Sequence, residues 1–250
     1  LSKMTKSSNN QYMTGENSIH GSLFSADFLS ETIRDMPEWA AYPDNQLGVL
    51  RAALEQIFTA FPNGHGPNEA QTEDDLIWKV LDALGWKDTL RQQNLSARGR
   101  EDVPDGILFP DADAKERANS FSEEWKRYEF GAAVVESKRW QRPLDRRSGR
   151  RGEEIAPSTQ MLRYLRRIDD LTDGGLRWGI LTNGARWRLY YQGARSVSEQ
   201  FFEVDLAAVL NLPGHNEGLF ALDDEARAHW LKVFALIFRR EAFVPSGVDP

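Results

Sequence analysis

The run Phe130-Gly-Ala-Ala-Val-Val-Glu-Ser-Lys138 carries a carboxylate and an ammonium two residues apart. Small and branched apolar residues lead straight into them, which predicts a strand buried on both faces at the centre of a sheet. Strand side chains alternate, so Glu136 and Lys138 leave on one face and Ser137 on the other. Charges in such a place are costly unless they hold something. A metal ion and a water to be activated fit there. The plainer fate of Glu-x-Lys is a solvated surface pair. Asp105 interrupts the apolar run Val103–Phe109 one strand earlier, a geometry in which two carboxylates converge.

The elements around these residues follow from periodicity and punctuation. Residues 1–17 are polar and read as a mobile terminus. Ser25 caps a helix over 26–36, and Gln46–Phe61 is a stronger helix with Leu47, Leu50, Leu54, Ile57 and Phe58 at helical spacing. The breaker cluster 62–68 marks a hinge between this helical extension (18–68) and a core over 69–205. Thr72 reads as the N-cap of the next helix, with Glu73, Asp74 and Asp75 in its first turn, where the helix dipole favours acids. Capping accounts for Asp74 and Asp75 and accounts equally well for Glu73, which stays open here. Strands are predicted over 89–95 and 103–109, then a polar loop over 110–127 with a short helix at 121–127. Pro157 opens a helix running to Leu171, in which Gln160 and Tyr164 share a face. Asn183-Gly184 between Trp178–Thr182 and Trp187–Tyr191 signals a hairpin. A last edge strand at 201–204, a short helix at 206–210 and a long amphipathic helix over 223–243 complete the chain. The order predicts an α/β sheet with helices on both faces.

Directly after Lys138 comes Arg139-Trp-Gln-Arg142-Pro-Leu-Asp-Arg146-Arg147-Ser-Gly-Arg150-Arg151. From Lys138 to Arg151 there are seven basic residues and one acid, in a chain of net charge -7. A nucleic-acid partner must therefore be held by a local basic patch. Arg139, Arg142, Arg146, Arg147, Arg150 and Arg151 suit phosphate contact, and Trp140 suits base stacking. The alternative is a solvated flexible loop. There is no cysteine, so disulfides and thiolate-bound zinc are excluded, and the four histidines are scattered. Any metal is expected to be a hard one bound by carboxylates. No apolar run approaches a membrane span, and the start lacks a signal-peptide core. A cytoplasmic setting is expected. Leu1-Ser-Lys3 ahead of Met4 reads as a cloning remnant.

Taken together these residues resemble the PD-(D/E)xK nuclease superfamily, and within it the N-terminal nuclease domains of type IIG and type I-like restriction–modification enzymes. The resemblance covers about Thr72 to Val204. It rests on Glu73, Pro104-Asp105, Glu136-Ser137-Lys138 and Gln160-Met-Leu-Arg-Tyr164, with the hairpin 179–190 following. It implies a restriction-endonuclease-like mixed β-sheet flanked by helices, with an N-terminal helical extension and a C-terminal helical segment (206–250). It also implies Mg²⁺-dependent hydrolysis of DNA phosphodiesters, Mn²⁺ substituting. Asp105, Glu136 and the Ser137 carbonyl would be ligands, with Glu73 a further candidate, and Lys138 would orient the attacking water. Gln160 and Tyr164 would brace the site or touch the DNA backbone. The implied partners are double-stranded DNA, methyltransferase and specificity domains downstream, and a second copy in transient pairing for double-strand cutting. No methyltransferase, Gly-rich cofactor or Walker A motif occurs in the chain. A catalytically silent DNA-binding module and a repair nuclease are the alternative functions.

Overall fold

The computed structural model describes residues 18–62, 64, 66–96, 99, 101–150, 153–218 and 221–244. The expected mobile terminus over 1–17 and Arg151 of the basic loop lie outside them. In chain order the strands are β1 (Ile19–Gly21), β2 (Thr89–Arg91), β3 (Gly106–Leu108), β4 (Ala133–Ser137), β5 (Trp178–Thr182), β6 (Arg186–Tyr191) and β7 (Phe201–Asp205). The helices are α1 (Ala26–Ser30), α2 (Pro37–Ala40), α3 (Asp44–Ala60), α4 (Glu69–Thr72), α5 (Trp78–Ala83), α6 (Ala112–Asn119), α7 (Pro157–Leu171), α8 (Leu206–Val209) and α9 (Asp224–Phe238).

The strands form one seven-stranded mixed sheet in the order β1-β7-β6-β5-β4-β3-β2. Only β4 and β5 pair in parallel, joined through α7; the other described pairings are antiparallel. Alternation along β4 sorts the core. Val135 faces a cluster with α3, α5 and α9, whereas Val134 faces a second cluster with Met161, Leu165 and Ile168 of α7. β4 is buried along its whole length, as its continuous apolar run predicts. Ile19 and Leu54 belong to the same apolar cluster as the sheet.

Several expected elements differ. The strand over 201–204 is not an edge: β1 pairs with β7, Ile19 opposite Val204. β1 is only three residues long, too short for a periodic signal. The helix over 26–36 breaks at Glu31 into α1 and a 3₁₀ turn, Thr32–Asp35. The strand over 89–95 stops at Arg91, because Gln92 adopts φ 51°. The strand over 103–109 shrinks to β3, and the long C-terminal helix gives way after Phe238 to a 3₁₀ turn, Arg240–Phe243. Within the expected loop 110–127, Asp111 caps α6, accepting from the Ala114 N–H; the short helix expected at 121–127 is a 3₁₀ turn over Glu124–Phe130.

The helix thought to start at Thr72 starts earlier. Asn68 caps α4 in a capping box with Gln71, its Oδ1 2.8 Å from the Gln71 N and its N 3.0 Å from Gln71 Oε1. Thr72 is interior and accepts from the Trp140 N–H at 3.0 Å. Asp74 and Asp75 are therefore not caps: they pair with Arg91 and Lys79. Between α4 and α5 the chain makes one π turn, Glu73–Ile77, closed by the Trp78 N–H donating to the Glu73 carbonyl. Such single turns recur at functional sites because they rotate one side chain out of helical register. Among the described residues, no helix is long and apolar enough to cross a membrane.

Candidate active site: an acid cluster at the end of β4

β3 runs antiparallel to β4 with Gly106 opposite Val135. That register sets Asp105, just before β3, beside Glu136. Gly106 lets the Trp78 ring of α5 pack onto β3: a Cβ there would meet that ring at 2.4 Å. The stretch before Asp105 is tied to α7, with Asp102 pairing with Arg163 at 2.8 Å and Arg167 at 2.5 Å. Asp105 Oδ2 accepts from the Ser137 backbone N–H and lies equally close to Ser137 Oγ, 2.7 Å in each case. Glu73 reaches the same hydroxyl from the other element, Ser137 Oγ donating to Oε1 at 2.7 Å.

On the opposite face Glu136 and Lys138 pair at 2.5 Å. Both are buried, at 1% and 4% exposure, and Glu136 Oε2 has no hydrogen-bond partner. Gln160 and Tyr164 approach from α7, the Gln160 amide donating to the Tyr164 hydroxyl at 2.7 Å. Burial raises the Tyr164 pKa, and the Glu136 charge adds to it. The predicted set Glu73, Asp105, Glu136, Ser137, Lys138, Gln160 and Tyr164 thus gathers around the end of one strand.

Glu69 belongs with them and was not expected. Its Oε1 lies 3.5 Å from Lys138 Nζ, and Oε2 3.8 Å from Arg142 Nη1. It stands one helical turn before Glu73, an i, i+4 pair on one face, which was the available signal. The Ser137 side chain was also missed; its role depends on which helix covers that face.

Three carboxylates, Glu136, Glu69 and Asp105, act on one ammonium, and Glu73 joins them through Ser137. Burial pushes Glu136 up to about 8, reinforced by Asp105 and only partly offset by Lys138. Burial also raises Asp105, against the pull of Lys138 and Ser137, and burial plus the Asp105 charge raises Glu73. For Lys138 burial works downward, but Glu136, Glu69 and Asp105 outweigh it and hold the ammonium charged. Excess negative charge, hard oxygen donors and an unpartnered buried Glu136 oxygen fit a hard divalent cation. Among the described residues, no three acids or histidines converge closely enough to form a ready-made cage; Asp105 and Glu136 are turned to Ser137 and Lys138.

The basic loop divides in two. Arg146, Arg147 and Arg150 are exposed. Arg142 is 2% exposed; it donates to the Ile155 carbonyl at 3.2 Å. Arg139 Nε donates to Glu153 at 2.9 Å, a bond that pushes Glu153 down to about 2. Trp140 is not available for base stacking. It is buried edge-to-face between Phe58 and Phe61 at 6.0 and 5.4 Å. A cavity of about 680 Å³ opens beyond the loop, lined by Arg146, Arg186, Arg188, Glu203 and His215; the acid cluster does not line it.

Comparison with family models, with curated proteins and with solved structures found no match to this chain.

Proposed function

We propose that this chain is a Mg²⁺-dependent endodeoxyribonuclease domain with a restriction-endonuclease-like core, the cleavage module of a larger restriction–modification enzyme. One observation carries the reading: the β3–β4 register sets Asp105 opposite Glu136, and both acids act on a buried, charged Lys138 at the end of the same central strand. Exposed arginines on the loop that follows supply a contact surface for DNA phosphates.

Asp105 and Glu136, with the Ser137 carbonyl, would hold Mg²⁺, and Glu73 would reach it directly or through water. When bound, the cation supplies charge stabilisation at the phosphate and a lowered pKa for water. The chain does the rest. The Ser137 N–H and hydroxyl fix the Asp105 carboxylate. Lys138, held charged by the surrounding acids, donates to the water and to the developing anion. Gln160 and Tyr164, hydrogen-bonded to each other on α7, would brace the site or touch the DNA backbone. Mn²⁺ is expected to substitute, since it accepts the same oxygen donors.

Lys138→Ala is expected to abolish cutting of duplex DNA in Mg²⁺ even at saturating DNA, with a lower melting temperature because buried Glu136 loses its partner. Cleavage at the wild-type rate by this variant would overturn the assignment. Loss of cleavage only because DNA binding is lost would favour a binding module instead.

A further inference from the structure

We propose, building on the nuclease reading, that Lys138 Nζ, the Arg142 guanidinium and the Arg139 backbone N–H form a subsite for one backbone phosphate, and that the Glu69 carboxylate fills this subsite until a phosphate displaces it. Three donors from one short segment converge on Glu69: Lys138 at 3.5 Å, Arg142 Nη1 at 3.8 Å and the Arg139 N–H at 3.4 Å. Two of them are built into the protein, Lys138 at 4% and Arg142 at 2% exposure. Their acceptor is not, since the Glu69 side chain is 43% exposed.

The fit to Glu69 is poor. Every contact is at or beyond the limit of a good hydrogen bond. Arg142 Nε is buried with no hydrogen-bond partner, although Glu153 stands 3.5 Å away. A buried donor left unmet is costly, so this constellation is not optimised for the group that occupies it. A carboxylate offers two coplanar oxygens to an ammonium, a guanidinium and an amide arriving from different directions. A phosphate offers tetrahedral oxygens and meets all three. Glu69 leaves easily: its side chain swings into water without backbone change. In the absence of DNA it adds its charge to those of Glu136 and Glu153 beside the same cations.

The test compares wild type, Glu69→Gln and Asp75→Asn in the whole chain. Titrations use inorganic phosphate by calorimetry and a short DNA duplex by anisotropy, both in EDTA across a salt series. Glu69→Gln is expected to bind phosphate about tenfold tighter, and the duplex tighter with a steeper salt slope by about one contact. Asp75→Asn removes an exposed charge of the same segment, paired with Lys79 rather than with the site, and is expected to change either affinity less than twofold. Glu69→Asp keeps the charge but shortens the reach, and is expected to show part of the gain if the amide variant does not fold. Unchanged or weaker phosphate binding by Glu69→Gln would overturn the subsite, as would an equal gain from Asp75→Asn. Wild-type cleavage in Mg²⁺ without a Glu69→Gln gain removes the subsite alone. A phosphate gain with no DNA binding or cleavage removes the nuclease reading and keeps the subsite.

Discussion

At Ser137 one hydroxyl proton faces two carboxylates, Glu73 and Asp105, each 2.7 Å away. One proton serves one of these contacts, so the second is a hydrogen bond only when one acid is protonated, in line with the raised pKa of both. Ser137→Ala leaves the backbone N–H on Asp105 but removes this bridge. It is expected to weaken Mg²⁺ binding by about 10–100-fold, the usual range for a lost support of a ligand, with the fold retained; metal titration and a thermal melt check both halves. Glu136 gives a pH test. Its folded pKa of about 8 lies above its ordinary value of 4.5, so folding favours the protonated acid. That stability is fully present below the ordinary value and is lost as pH rises through about 8. The metal-free protein is therefore expected to lose stability between pH 6.5 and 8, on the order of 1 kcal/mol per pH unit, and Glu136→Gln to flatten the slope. Mg²⁺ is expected to reverse the trend, because it binds the deprotonated carboxylate. Melting curves with EDTA and with Mg²⁺ read both effects.

The elements that present these residues were legible to different degrees. β4 could be read because a buried strand has an unbroken apolar run, and the β5–β6 hairpin because Asn183-Gly184 has few alternatives; Gly184 takes φ 82°. The helix bearing Glu73 was misplaced because Thr72 is also an N-cap type; the capping box of Asn68 with Gln71, present in the sequence, decides between them. The π turn has no sequence signature. Without it, Glu73 looked like a first-turn acid. β3 depends on a close fit of Gly106 against Trp78. Gly106→Ala is expected to cost about 1–3 kcal/mol by overpacking and to displace the neighbouring Asp105. A urea melt measures the first and metal affinity the second; an unchanged Mg²⁺ affinity would separate Asp105 from that packing.

Across the whole molecule, the site depends on segments far apart in sequence: 69–73 on a helix, 105 before one strand, 136–138 at the end of the next, 160–164 on the crossover helix. β1 closes the far edge of the sheet by pairing with β7. Deleting residues up to Phe24 is expected to lower the melting temperature, because Ile19 leaves the core and β7 becomes an open edge. The chain has a net charge of -7, so DNA binding must come from local patches. Replacing Arg146, Arg147 and Arg150 with Gln is expected to weaken duplex binding and flatten its salt dependence, measured by anisotropy. The most direct measurement is cleavage of supercoiled plasmid by the wild type in Mg²⁺ and in EDTA, alongside Asp105→Ala at matched DNA occupancy. The account predicts cutting only by the wild type and only with Mg²⁺; cutting by Asp105→Ala at the wild-type rate, or cutting in EDTA, would contradict it.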